Sequence, residues 1–326
     1  LNPKRVVFGE ANTDSMLRAA ATAYHEGICI PVLLGNEEMI EKRAARLGVD
    51  IDGIEIVNLR HDREADRRAR YAAYFADKGQ RDGVTYFEAL ELMFDRNYFG
   101  MMMVETGDAD AMLAGTYSGS HTPAEIAKKV VGIRPSYEHF ATMHILNTKH
   151  GVYFLADTMI NNTIDERTLF DITRLARNGV EYFAHKPVMA MVSYSNFGSS
   201  KEAEPGIVHA VVEKMHQLYP ELPIDGEMQA HYAIDGAMRD KSFPFNKLAG
   251  KSVNTLIFPN LSAANTAYKL MLSMGVGEAI GPIQMGLNKP VHFINVDSPV
   301  RDIVNLTTVA AIDAAVLQKF GNDHDN

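Results

Sequence analysis

The chain has 326 residues, 46% of them hydrophobic and 22% charged, with a net charge of −9 and one cysteine, Cys29. The length suits two lobes of a single unit, the composition is that of a globular protein with a full core, and the acidic balance argues against nucleic acid as a partner. A lone cysteine excludes an internal disulfide framework, and no apolar run reaches the ~20 residues of a membrane span. No signal peptide opens the chain, and a cytoplasmic location is expected. It begins on Leu1 rather than Met, as expected of a piece cut from a longer polypeptide.

In chain order, "RVVF" (5–8) reads as a strand and "TDSMLRAAATAYHEG" as a helix with a Thr or Asp start and a Gly stop. "ICIPVLLG" is the next strand and holds Cys29 as a small buried hydrophobe. "NEEMIEKRAARLG" is a second helix and "IEIVNL" a third strand. This spacing predicts a parallel α/β sheet with right-handed crossovers. "DREADRRAR" (62–70) interleaves acids and bases, as a solvated helix face does. The stretch 85–107 is predicted as one helix whose Met and Phe stripe belongs to the core, and "ADAMLAG" (109–115) as a buried strand. Further strands are expected at 150–158, 187–195, 253–260 and 290–295, and helices at 165–178, 204–220, after "IFPN", and at 301–320.

Two loops follow buried strands and open onto helices. "GTYSGSHTPAEIAKK" (115–129) offers Tyr117, Ser118, Ser120 and Thr122 beside a helix start with Pro123 in its first turn. Free N–H groups there suit an anion, while plain capping by Thr122 explains the same residues. "VSYSNFGSSKEAEP" (192–205) offers Ser193, Ser195, Asn196, Ser199 and Ser200, with caps and turns again the simpler account. Open α/β sheets bind ligands outside the carboxyl ends of their strands, which favours both loops. A third segment, "FINVDSPVRDIVNL" (293–306), packs Asn295, Asp297, Ser298, Arg301 and Asp302 into a hook between strand and helix. "GVGEAIGPIQMG" (275–286) follows a helix and carries Pro282, which excludes a dinucleotide loop. The histidines have no metal-site spacing, and His121 and His231 read as structural. No G-x-S-x-G elbow is present.

The blocks "RVVFGEANTDSMLRAA", "YFGMMMVETGDADAMLAG", "VNTLIFPNLSAANTAYKL" and "IGPIQMGLNKPVHFIN" resemble the phosphate acetyl/butyryltransferase family over essentially the whole chain. With "SNFGSS" (195–200) and "IDGEM" (224–228), the likeness is closer still to the phosphotransacetylase-like C-terminal domain of large bacterial NADP-dependent malic enzymes. The resemblance implies an α/β fold of two lobes with mainly parallel sheets, like the isocitrate and isopropylmalate dehydrogenases, with a ligand cleft between the lobes. Lobe one would be residues 1–141 plus about 283–326, and lobe two 142–282. No cofactor is implied for this domain. The ligands would be CoA or acetyl-CoA, with phosphate, and the partners would be further copies of the chain and N-terminal malic enzyme domains. NADP and a divalent metal belong only to those absent domains.

Active members carry V-N-D-L-S-R-G-C-S-x-E-D-I-V after the last strand, where Ser, Arg and the final Asp have catalytic and phosphate-binding roles. Here the run is I-N-V-D-S-P-V-R-D-I-V, three residues shorter. Asn295 and Asp302 match, but Ser298 and Arg301 stand at other spacings, with Pro299 between them. The family's Arg at a second helix start falls near Glu125, and Lys78 and Arg81 are only approximate equivalents of its other basic positions. Losing one preorganised donor costs about 10²–10³ in rate. Ser298, Arg301 and Asp302 are therefore expected to be remnants of a catalytic set. The expected ligand set is Tyr117, Ser118, Ser120, Thr122, Ser195, Asn196, Ser199, Ser200, Asn260, Lys289, Asn295, Ser298, Arg301 and Asp302, with Asn265 and Lys269 weaker. Three roles are carried forward: a regulatory acyl-CoA sensor, an active acetyltransferase, and an oligomerisation scaffold.

Overall fold

The computed structural model describes residues 3–115, 122–162, 164–295 and 298–321. It divides into two compact units, one formed by Leu1–Arg134 with Leu287–Asn326 and the other by Pro135–Gly286. The expected boundaries at 141 and 283 move for local reasons. Glu138 N and His139 N donate to Asp171 Oδ2, and Asn161 Nδ2 donates to Phe140 O, so the 135–140 segment goes with the second unit. Ile283, Gln284 and Met285 pair with Met143, Thr142 and Ala141, which keeps them there too.

The first unit opens with β1 (Arg5–Phe8), α1 (Asp14–His25), β2 (Ile30–Leu34), α2 (Glu37–Leu47) and β3 (Glu55–Val57). α2 starts where Asn36 Oδ1 accepts Met39 N, and stops at Gly48, whose φ of +62° is the left-handed conformation that suits glycine. Next come α3 (Ala65–Lys78), α4 (Tyr86–Leu92), α5 (Arg96–Thr106), β4 (Ala111–Gly115) and α6 (Pro123–Val130). The single helix expected over 85–107 is broken, because the Asp95 carboxylate accepts Asn97 N and Tyr98 N and starts α5 afresh. The Met101–Met103 stripe is core, as expected. The 62–70 face is not wholly solvated: Glu64 and Arg68 are buried, and Arg68 Nη1 donates to Leu59 O and His61 O.

The second unit holds β5 (Ala141–Thr148), β6 (Gly151–Ala156), α7 (Glu166–Tyr182), β7 (Met189–Val192), α8 (Ala203–Leu218) and β8 (Ile224–Met228). It continues through α9 (Ala230–Ile234), α10 (Gly236–Ser242), β9 (Thr255–Ile257), α11 (Leu261–Ser273) and β10 (Gly277–Met285). The chain then returns to the first unit with β11 (Val291–Ile294) and α12 (Val300–Phe320).

The first sheet runs β11-β4-β1-β2-β3, with every pairing parallel. Apart from β3, its strands are buried along nearly their whole length, as in a parallel sheet covered by helices on both faces. The second sheet runs β10-β5-β6-β9-β7-β8. The β10–β5 and β5–β6 pairs are antiparallel and the rest parallel. The architecture is thus α/β with mainly parallel sheets, as the sequence led us to expect. Among the described residues no helix is long and apolar enough to cross a membrane.

Candidate functional sites at the strand carboxyl ends

In the first unit, Ile294 pairs with Gly115, so the segments leaving β11 and β4 start side by side at one edge of the sheet. Past β11, Ser298 N donates to Asn295 O at 3.0 Å. Pro299 then opens α12, and its carbonyl accepts Asp302 N. Arg301 is exposed and Asp302 half-buried, with Arg301 Nε 3.4 Å from Asp302 Oδ1. Asn295, Ser298, Arg301 and Asp302 thus form one corner. Tyr117, Ser118, Ser120, His121 and Asp297 lie outside the described residues.

Thr122 caps α6, and Glu125 completes a capping box. Glu125 Oε2 accepts Thr122 N at 2.7 Å and Thr122 Oγ1 at 3.0 Å, while Thr122 Oγ1 accepts Glu125 N at 3.3 Å. The chain's own carboxylate therefore fills the position that an anion would take at this helix start. Lys78, an approximate match for a family cation, is committed to Glu105 Oε1 at 2.7 Å and Val130 O at 2.6 Å. Lys289 precedes β11, at the amino end of the strand, about 20 Å of extended chain from Asn295. The structure does not bring it to the Arg301 corner.

One further residue with a buried charge lies at this edge. Glu10 is buried and packs so closely on Gly115 that a Cβ there would lie 2.0 Å from Glu10 Cγ. Burial raises the pKa of its carboxyl, Arg96 at 3.1 Å lowers it, and Asp95 raises it. The sequence signal was present in "FGEANTD", where an acid directly follows a buried strand.

In the second unit the loop after β7 is organised around Glu227 of β8. This carboxylate is fully buried; its Oε1 accepts Ser195 Oγ at 2.9 Å and Gly198 N at 2.6 Å. Its Oε2 has no hydrogen-bond partner among the described residues, with His209 Nδ1 3.9 Å away. Ser195 Oγ also accepts Ser200 N, Ser199 Oγ accepts Asn196 N, and Asn196 Oδ1 accepts Gln229 N. Phe197 takes a left-handed φ of +47° and Gly198 one of +84°. The Phe197 ring packs between Phe243 and Phe245, which holds the strained residue in place. Asn260 caps α11 through Ala263 N, and its Nδ2 donates to Glu204 Oε2 of α8 at 2.8 Å.

Ser195, Asn196, Ser199, Ser200 and Asn260 therefore meet at one edge of the second sheet. Their side chains serve mainly to hold the loop: Ser195 is fully buried and faces Glu227, not solvent. Ser200 Oγ lies 3.2 Å from the exposed Tyr194 hydroxyl, and Ser199 is the exposed serine of the loop. Asn265 Nδ2 donates to Thr158 O at 3.2 Å. His231 lies in α9 against the Tyr232 ring. Among the described residues no cluster of three metal-ligating side chains occurs.

The chain is 35% identical over 320 residues to the NADP-dependent malic enzyme of Escherichia coli (strain K12), an alignment that covers 96% of this chain and 41% of that protein. It is 30% identical over 309 residues to the phosphate acetyltransferase of Corynebacterium glutamicum, with 95% and 93% covered. A phosphotransacetylase from Streptococcus pyogenes superposes with a TM-score of 0.85 at 29% identity, over 96% of this chain and 94% of that one. The chain thus spans about two fifths of the malic enzyme and nearly all of the acetyltransferase. The model of the family described as phosphate acetyl/butaryl transferase matches residues 2–311, and the chain belongs to that family.

Proposed function

We propose that this chain is a phosphotransacetylase-like regulatory module of a malic enzyme, which binds acetyl-CoA or a related acyl-CoA and turns it over little or not at all. Oxidative decarboxylation of malate, with NADP and a divalent metal, belongs to N-terminal domains of that enzyme. The observation that carries the reading is the capping box at α6. Glu125 Oε2 sits 2.7 Å from Thr122 N, so a fixed negative charge stands where the family resemblance puts a cation. Acyl transfer between a thiol and phosphate needs cationic donors on a dianion and on the developing oxyanion, and a carboxylate there opposes both. The Arg301 corner keeps one cation for a phosphate of the ligand but holds it beside Asp302. Regulation then means that acyl-CoA binds two states of the whole enzyme with different affinity.

A second reading, an active phosphate acetyltransferase, is favoured by the 30% identity to an acetyltransferase matched over 93% of its length. Calorimetric titration with acetyl-CoA tests the ligand and the corner together. Saturable binding is expected, weakened about tenfold or more by Arg301→Ala, the usual loss for a charge-assisted contact. Equal affinity in the two proteins would remove Arg301 from the site.

A further inference from the structure

The first unit has a cavity of about 450 Å³ that the function above does not use. Its floor is the carboxyl edge of the first sheet, where the segments leaving β1, β2 and β3 converge with the start of α5. Each segment brings a carboxamide: Asn12 after β1, Asn36 after β2 and Asn58 after β3. Arg60 and Arg96 bring two guanidinium groups. Met39, Leu59 and Phe94 supply apolar wall.

Of the charged side chains on the cavity wall, two are guanidiniums, Arg60 and Arg96, and one is a carboxylate, Asp95. Arg96 Nη1 is 3.0 Å from Asn12 Oδ1 and 3.1 Å from Glu10 Oε2, which fixes its guanidinium at the cavity wall without using all its donors. Arg60 is exposed, and among the described residues its guanidinium has neither a hydrogen bond nor an ion pair. Its position is set by the backbone: Asn58 Oδ1 accepts Arg60 N at 3.2 Å. The acids at the start of α2 are paired with other cations, and Asp95 on the cavity wall is held by backbone N–H groups. Glu37 pairs with Arg63 at 2.9 Å, Glu38 with Lys42 at 2.6 Å, and Asp95 Oδ1 caps α5 through Asn97 N and Tyr98 N. α2, which begins beside the cavity at Asn36, also turns the positive end of its dipole towards it.

We propose that this cavity is a second ligand site of the first unit, and that it takes a phosphate monoester with a small organic body. Two guanidiniums match the phosphate, the three carboxamides match hydroxyl groups, and the volume leaves room beyond a bare phosphate for a sugar or nucleoside. The site is centred on the ends of β1, β2 and β3, and β4 stands between β1 and β11, the strand that leads to the Arg301 corner.

Adenosine 5′-monophosphate and ribose 5-phosphate, with adenosine and ribose as uncharged counterparts, are titrated into the chain at low salt by calorimetry. At least one phosphate ester is expected to bind saturably and its uncharged counterpart not to bind. Arg60→Ala should weaken that binding about tenfold or more without changing the unfolding temperature. Arg301→Ala should leave it unchanged. The proposal is overturned by absence of saturable binding of both esters at millimolar concentration, by equal binding of an ester and its uncharged counterpart, by an Arg60→Ala protein that binds as the parent does, or by loss of binding in Arg301→Ala.

Discussion

His144 of β5 shows how burial sets charge at the scale of one residue. Its Nδ1 lies 2.8 Å from Thr158 Oγ1, its ring stacks on Tyr268 at 3.9 Å, and burial pushes its pKa from 6.5 down to about 3. The folded state thus holds a neutral imidazole that the unfolded chain protonates below pH 6.5. Stability contributed by this residue is full above that pH and is lost progressively as pH falls towards 3, at about 1.4 kcal/mol per pH unit at most. Glu10 works the other way: its carboxyl pKa is raised above 4.5 by burial, so it favours the folded state least at higher pH. Comparing the parent with His144→Asn by guanidinium unfolding at pH 7, 6 and 5 isolates the histidine. The gap between the two proteins should narrow by up to about 2 kcal/mol between pH 7 and 5; a constant gap would mean that His144 titrates in the fold as it does in the unfolded chain.

The loop after β7, with α8 and β8, shows the same logic at the scale of elements. Ser195 and Gly198 belong to the loop and Glu227 to a strand that follows α8, yet two hydrogen bonds of 2.9 and 2.6 Å tie them. Glu227→Ala takes the carboxylate from the buried Ser195 hydroxyl and the part-buried Gly198 N–H, so a loss of about 1–3 kcal/mol is expected by chemical denaturation, with a smaller loss for Glu227→Gln. Equal stability of the alanine variant and the parent would refute the anchoring role. The loop was visible in the sequence as a hydroxyl-rich stretch after an apolar strand, but its anchor was not. Nothing in "IDGEM" tells which segment its acid will hold, because its partner lies in a loop 29 residues away. Helix and strand positions were legible where period and punctuation agreed, as in β1, α1, β2 and α2. β10 was not, because its glycines and Pro282 hide the strand pattern that pairing with β5 reveals. The break at Asp95 was hidden because the flanking residues are good helix formers, and one carboxylate on two N–H groups decides it.

For the whole molecule, family and architecture were legible because blocks spread along the chain carry them, and because alternating apolar strands and helices admit few topologies. The ligand set was less legible, since sequence neighbours can stand at opposite ends of a strand. Lys289 and Asn295 do so around β11, while Arg60 and Arg96, 36 residues apart, line one cavity. The functional account rests on a balance of charge: a family fold whose α6 start carries a carboxylate and whose final hook is shortened should bind an acyl-CoA better than it transforms one. The most direct measurement is turnover of the purified chain with CoA and acetyl phosphate, followed as thioester formation against a blank without protein. The account predicts a rate at or near the blank; a rate typical of metabolic enzymes, roughly 1–10³ per second, would contradict it and make this chain a working acetyltransferase.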